Sequence, residues 1–465
     1  MSGPGALSAG QQGLWLLHRM APESAAYTVV TPVRLRTAPA DPLDVPRLAA
    51  AVREVAGRHE LLRSVFEERD GVPVRRELGP GALRLEVREA AGEDPAAAAG
   101  ALGCVPFRLG DGDPPVRLTL LRETAHEAVL VLAAHHIVTD ASSQWIVLAD
   151  LLRAYREPGA LGRGPRPMPY AEFVERERAL LAGPERARLA AARAAECAGV
   201  PALEIPPDRP RPARPAFRGG TLRRTVPGPA AKRLPETAAA LEVSPFGLLL
   251  GTLCVLAHRY SGRSDGLIGC SVTQRRGSRQ RDAVGYLVNA VPLRARLDPA
   301  GTLGDAARAM HRRVLDGMRH ARLPLAGPAG GPGPDGAPGR APGFRILVTY
   351  VAAGPLVPLS GLLPTGPEGP EVEYGGMRLR QLDVPQMEGQ FDLSVELRQG
   401  AGGDLAAVFR YDGELFERAT AERLLDHFVR LLETAAEAPG TPAADAAPAA
   451  GEELARVLAW GRGDV

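Results

Sequence analysis

The stretch AVLVLAAHHIVTDASSQWIVLADLLRAY, residues 128 to 155, ends an apolar run in two adjacent imidazoles, His135 and His136, and places a carboxylate, Asp140, four positions after the second. An imidazole has an ordinary pKa of about 6.5, so at neutral pH it can accept a proton, hold one, or orient an amine or hydroxyl by hydrogen bonding. Adjacent residues on a strand point to opposite faces, so one of these histidines can face a cleft while the other faces the core. The end of a buried strand is also where α/β folds commonly place ligands. Taken alone, the pattern has an equally good structural explanation. Both imidazoles could be core groups, with Asp140 as N-cap of the helix that follows, a role worth about 1 kcal/mol over alanine.

The elements that must position these groups can be read around them. A helix is expected near Pro46 to Arg58, strands near Leu83 to Arg88 and Val116 to Arg122, then the strand leading into the histidines and an amphipathic helix over WIVLADLLRAY. A helical stretch from Met168 to Ala195 runs into PALEIPPDRPRPARPAFRGG, which is too rich in proline for a helix or a central strand and reads as a connection between two halves. Beyond it, helices are expected over Pro245 to Tyr260 and Leu303 to Met318, with strands at LIGCSV, FRILVTYV, FDLSVELR and LAAVFRYD. The glycine- and proline-rich residues 327 to 343 read as a surface loop, and the stretch after Glu437 as an interdomain linker.

Composition excludes several classes. A length of 465 residues suggests two or three domains' worth of core, and a net charge of +2 without basic runs predicts no general affinity for nucleic acid or anionic lipid. No apolar run reaches the roughly 20 residues of a membrane span. The first residues, MSGPGALSAGQQ, have no signal-peptide pattern, so a cytoplasmic protein is expected. Cys104, Cys197, Cys254 and Cys270 are scattered and read as ordinary buried thiols, so no metal site is expected. Lys232 is the one lysine, which discourages any scheme with a lysine nucleophile.

His135-His136-Ile-Val-Thr-Asp140-Ala141 resembles HHxxxDG, the signature of the condensation domains of nonribosomal peptide synthetases. Other segments agree in order. SAGQQGLWLL resembles the family's SxxQxxLW, RHELLRSVF its RHExLRxxF, and MPYAEFV its tyrosine segment; EIPPDRPRPARPAFRGG resembles its crossover linker, VGYLVNAVPLR its glycine and asparagine segment, RHARLPL its histidine and proline segment, and FDLSVEL and YDGELF its late strands. The resemblance runs from about Leu7 to about Leu432.

It implies an α/β (α+β) fold of two chloramphenicol acetyltransferase-like halves, a V-shaped pseudo-dimer around a central tunnel. The first half is expected over 1–175, the crossover linker over 176–219, the second half over 220–437, and a linker toward an adenylation domain over 438–465. It implies peptide-bond formation between a donor acyl thioester and an acceptor aminoacyl thioester. Both would arrive on the phosphopantetheine arms of carrier proteins, with no intrinsic cofactor, and the domain would work as a monomer. An acyl carrier protein could be the donor, and an adenylation domain would follow in the parent chain.

By this resemblance His136 is the catalytic histidine and His135 its structural neighbour, while Asp140 is a scaffold group whose expected partner is Arg63. Ala141 stands where the family has glycine. At the first turn of a helix its φ is expected to be negative, so that it adds only a methyl group to the tunnel, next to Ser142 and Ser143. Tyr286 and Asn289, with Tyr350 and Gln12, are further expected tunnel residues. The two histidines argue against a heterocyclization domain, the adenylation-type end against an epimerization domain, and the lack of a late DFGWG segment against a plant-type hydroxyl acyltransferase. An ester-forming condensation domain stays open, as does a catalytically impaired module that binds carriers or recruits a partner.

Overall fold

The computed structural model describes residues 5–446, apart from 91, 113, 213–216, 326–342, 355, 356, 367 and 386–389. The chain runs through β1 (Gly5–Ala6), α1 (Ala9–Met20), β2 (Thr28–Arg36), α2 (Val45–Arg58), β3 (Ser64–Arg69), β4 (Val72–Glu77), β5 (Leu85–Glu89), α3 (Pro95–Gly103), β6 (Val116–Arg122), β7 (Glu127–His135) and α4 (Ala141–Arg156). The helices α5 (Ala160–Arg163), α6 (Tyr170–Ala182) and α7 (Glu185–Cys197) lead into the second half. That half holds β8 (Gly219–Thr225), α8 (Gly228–Ala240), α9 (Pro245–Ser261), β9 (Asp265–Thr273), α10 (Ser278–Arg281), β10 (Val288–Arg296), α11 (Leu303–His320), β11 (Ile346–Ala352), β12 (Glu371–Tyr374), β13 (Met377–Gln381), β14 (Leu393–Gln399), β15 (Leu405–Asp412) and α12 (Arg418–Glu437).

Two six-stranded sheets and a small three-stranded one carry the architecture among the described residues. Their orders are β12-β13-β2-β7-β6-β5, β10-β9-β11-β14-β15-β8 and β1-β4-β3. β7 lies inside the first sheet, antiparallel to β2 and β6 along its length. Ala128 to His135 are all buried, which is why this strand reads as a continuous apolar run rather than an alternating one. In the second half α9 is buried from Gly247 to Ala257, as a helix apolar on all sides must be, and α11, α12 and α8 pack around it. Among the described residues no single helix is long and apolar enough to cross a membrane.

The division at residue 220 needs a correction. β13 pairs with β2 from Arg378 opposite Arg36 to Gln381 opposite Val33, so the hairpin β12–β13 belongs to the first sheet although it lies late in the chain. Leu362, Met377, Leu379 and Val384 are buried in the first half's core. The base of this excursion is held by the second sheet, where Thr225 Oγ1 donates to Thr365 O at 2.9 Å and Arg223 Nη1 to Gly366 O at 3.2 Å, while Arg223 also pairs with Asp383.

The connection between the halves is strapped rather than loose. Leu203 and Ile205 are buried in the second core, and Asp208 Oδ2 accepts from Glu417 N at 2.7 Å. After α12 the chain still packs, with Leu303 N donating to Thr441 O at 3.0 Å and Ala443 and Ala446 buried. The rest of the expected terminal linker, 447–465, and all but Gly343 of the glycine-rich stretch lie outside the described residues. Cys254 and Cys270 are buried thiols as expected, whereas Cys104 is exposed and Cys197 half-buried.

Candidate active site

β7 delivers the two histidines to different surroundings. His135 is the last residue of the strand, 4% exposed, and its ring lies near His18, Tyr27 and Phe107. Its Nδ1 accepts from Ile137 N at 3.1 Å, and burial, followed by the neighbouring His136 and His18, pushes its pKa down to about 3. It is a neutral core group that shapes the turn.

His136 opens a short 3-10 turn, His136–Val138. Its backbone N donates to Tyr27 O at 2.7 Å, and its Nδ1 lies 2.8 Å from Thr139 O. A carbonyl can only accept, so Nδ1 carries the hydrogen and Nε2 keeps its lone pair. The ring stands edge-on to Tyr286 with centroids 5.4 Å apart. Burial lowers the pKa of His136, although the Thr139 carbonyl and Asp140 work the other way, so the neutral form is favoured. The half-buried imidazole therefore offers a proton acceptor at Nε2.

Asp140 does not touch the imidazole. It caps α4 through Ser143 N at 2.8 Å, accepts from Ser143 Oγ at 2.8 Å and from Leu287 N at 3.1 Å, and is gripped by Arg275 through Nη1 at 2.7 Å and Nη2 at 2.9 Å. Burial works to raise its pKa, but the charge and hydrogen bonds of Arg275 and the donors of Ser143 outweigh it, and the carboxyl is held below its ordinary range. The expected partner was Arg63, and the structure corrects this. Arg63 closes the turn after α2, donating to Ala56 O at 3.0 Å and Leu78 O at 2.8 Å and pairing with Glu77 at 3.0 Å. Its guanidinium is used up on local carbonyls, whereas Arg275 follows β9 and comes from the second half.

Ser143 joins the same knot. Its hydroxyl accepts from Gly285 N at 3.0 Å and Arg275 Nη2 at 2.8 Å, and also lies 3.0 Å from Gly285 O. Ala141, the first residue of α4, is exposed and is not among the residues with positive φ, so its methyl group causes no backbone strain. Ser142 beside it is half-buried.

Tyr286 is placed against His136 as described, and burial, with a contribution from Asp140, raises its phenol to about 12. Asn289 acts on the backbone instead. It donates to Ala321 O and Leu323 O, both at 2.8 Å, and accepts from Leu325 N at 3.0 Å, which ties β10 to the segment after α11. Tyr350 stacks on Phe246 with centroids 5.6 Å apart and hydrogen-bonds Gln399. Gln12 is exposed and donates to Leu7 O at 3.3 Å.

Sequence reasoning passed over the residue beside it. Gln11 is fully buried and its Nε2 donates to Ile137 O, inside the histidine turn, at 2.8 Å. The signal was the spacing Ser8-x-x-Gln11, which the structure shows to be a capping box at the start of α1. Arg275 was passed over too, and Tyr170 was noted only as the tyrosine of its segment, with no place in the site. Tyr170 OH lies 2.9 Å from Ser8 Oγ and donates to Tyr286 O at 3.1 Å. Two glycines make room here: a Cβ on Gly285 would lie 2.3 Å from the Tyr170 ring, and one on Gly10 would lie 2.5 Å from the Tyr286 ring. Among the described residues no group of three or more His, Cys, Asp or Glu could hold a metal ion.

The condensation-domain family model matches residues 2–453. The chain belongs to the condensation-domain family. It is 31% identical over 450 residues to the phosphinothricin tripeptide synthetase PhsB of Streptomyces viridochromogenes, covering 93% of this chain and 36% of that protein. It is 30% identical over 477 residues to the probable non-canonical nonribosomal peptide synthetase CymA of Salinispora arenicola, covering 98% of this chain and 6% of that protein. The chain therefore spans a small part of the curated relatives it matches.

Among solved structures, the X-domain from teicoplanin biosynthesis matches with a TM-score of 0.80 and 25% identity over 96% of this chain and 98% of that one. The first condensation domain of the calcium-dependent antibiotic synthetase, in complex with a substrate analogue, matches with a TM-score of 0.76 and 19% identity over 97% and 100%. The fold is thus that of condensation domains, two chloramphenicol acetyltransferase-like halves. Condensation domains are amide-forming acyltransferases that work with carrier domains inside nonribosomal peptide synthetases.

Proposed function

We propose that this condensation domain joins a donor acyl group to the amine of an acceptor aminoacyl group, each held as a thioester on the phosphopantetheine arm of a carrier protein. The observation that carries the reading is the tautomer of His136, whose Nδ1–H is committed to Thr139 O while Nε2 is left as a base. As the acceptor nitrogen attacks the donor carbonyl, a C–N bond forms and the C–S bond breaks. The amine proton passes to Nε2 and returns to the departing thiolate, leaving an amide on the acceptor and a free thiol on the donor carrier. The turnover as drawn uses no metal and no covalent enzyme intermediate.

The protein's contribution divides in two. Holding two tethered reactants in line is worth up to about 7 to 11 kcal/mol in well-oriented systems, and a positioned base contributes a factor of about 10² to 10⁴. Asp140 is a support in this scheme, since its oxygens are spent on Arg275, Ser143 and Leu287 N. An adenylation domain downstream in the parent chain would choose the acceptor amino acid, and the free cysteines fit a reducing, cytoplasmic setting.

The test is intact-mass spectrometry of the acceptor carrier after mixing the protein with loaded donor and acceptor carriers, beside His136→Ala. A mass gain equal to the donor acyl group, lost or greatly slowed in the variant, supports the reading. Carriers that bind without any transfer would replace it with a recruitment role, and transfer onto a hydroxyl acceptor alone would make the domain ester-forming.

A further inference from the structure

The first turn of α1 supports both walls of the histidine site. Ser8 holds Tyr170, which holds the Tyr286 carbonyl; Gly10 backs the Tyr286 ring; and Gln11 reaches the histidine turn itself. Gln11 is 0% exposed, with its Oε1 accepting from Ser8 N at 3.2 Å and its Nε2 donating to Ile137 O at 2.8 Å. Ile137 directly follows His136. Its N–H is taken by His135 Nδ1 and its carbonyl by Gln11, so side chains fix the peptide units on both sides of it. The turn's own backbone bond, from Thr139 N to His136 O, is long at 3.3 Å. The turn is thus shaped more from outside than by itself. A tilt of the Ile137 carbonyl would carry Thr139 O away from Nδ1 and release the imidazole to its other tautomer.

We propose that Gln11 is a positioning residue whose carboxamide, by holding the Ile137 carbonyl, keeps the His136–Thr139 turn in the shape that donates Nδ1–H to Thr139 O and leaves Nε2 free as the base. The identity of the proton taken up rests on the acyl-transfer reading above; the control of the tautomer does not.

The experiment compares Gln11→Met, which keeps volume but loses the donor, with the parent chain, using two readouts. The first is kcat and KM in the carrier transfer assay, where kcat should fall roughly 10- to 100-fold, as small misplacements of reacting groups do, with KM nearly unchanged. The second is the ¹⁵N shifts of the His136 ring, which should show the Nδ1–H tautomer in the parent and a mixture in the variant. Gln11→Leu is the second variant, because it too removes the donor to the Ile137 carbonyl and carries no group that could take up a proton and restore it. It should lose the tautomer as well, and it serves if the methionine variant does not fold. A variant with the parental Nδ1–H tautomer overturns the inference, whether its kcat is unchanged or falls together with binding. A parent chain that transfers nothing overturns the acyl-transfer reading instead, and the ring shifts still judge Gln11.

Discussion

Arg275 and Asp140 meet end-on through two parallel N–H···O bonds of 2.7 and 2.9 Å, and so pin the start of α4 in one half to the end of β9 in the other. Asp140 is 1% exposed and the Arg275 side chain 9%, so neither charge has water to fall back on. Removing one partner of such a pair leaves a buried charge alone, at a cost of about 3 to 5 kcal/mol. Arg275→Met should lower unfolding free energy in urea by about that amount. The neutral double variant, with Asp140→Asn added, should recover part of it. A shift in Arg275→Met below about 1 kcal/mol would mean that the pair is a surface ornament.

Arg63 gives the complementary expectation. Its contacts are to Ala56 O, Leu78 O and Glu77, away from Asp140, so Arg63→Ala should cost about 1 to 2 kcal/mol in lost hydrogen bonds and leave kcat within a few-fold of the parent. A collapse of kcat at full stability would restore the pairing with Asp140 that the structure denies.

His135 makes stability depend on pH. Its folded pKa of about 3 lies below the unfolded value of about 6.5, so the unfolded chain takes the proton first. Its contribution is therefore complete above about pH 6.5 and drains away as pH falls toward the folded value. His135→Asn keeps an acceptor for Ile137 N and does not titrate. Between pH 6.5 and pH 4 the parent should lose about 3 kcal/mol more than this variant, at about 1.4 kcal/mol per unit. Parallel pH curves for the two proteins would show that His135 is not held neutral.

Gly285 tests the packing of the site. An added Cβ would lie 2.3 Å from the Tyr170 ring and 2.9 Å from Leu61 Cδ1, both fully packed. Gly285→Ala should cost about 1 to 3 kcal/mol as overpacking and, because Gly285 is bonded to Ser143, should slow transfer as well. A variant with parental melting temperature would show slack that the contacts do not suggest.

The hairpin β12–β13 joins the folding of the two halves. Leu379, 0% exposed, is buried in the first core although the strands on either side of its hairpin belong to the second sheet. Leu379→Ala should cost about 2 to 5 kcal/mol and, if the halves unfold as a unit, shift a single calorimetric transition rather than one of two. A split in which only one transition moves would mean that the halves melt independently.

Local pattern determined more of this molecule than its assembly. β7, α4, α9, α11 and the strands β11, β14 and β15 stand where periodicity put them, because each is long, strongly apolar on its core side and bounded by turn residues. No element was expected over β2, a strand with Pro32 in its middle. The structure accommodates the proline where the ladder to β13 stops, at Val33, with the Pro32 carbonyl accepting from Leu382 N. The histidine pair and its aspartate were legible for the same local reason: a strand end, a parity rule and an N-cap lie within six residues.

The partners were decided elsewhere. Nothing in RHELLRSVF distinguishes an arginine that pairs with Asp140 from one that closes its own turn, and Arg275 lies 135 positions from the carboxylate it neutralises. Gln11 and Gln12 are adjacent and chemically identical, yet helix phase buries one against Ile137 O and leaves the other in solvent. The membership of β12 and β13 in the first sheet was also invisible, because strand pairing depends on which edges the two halves bring together. By itself the sequence determined which groups can do chemistry and that they form a strand-end site. The tertiary structure alone decided which charge balances Asp140 and which nitrogen of His136 is free, since burial and hydrogen-bond partners are properties of the assembled core.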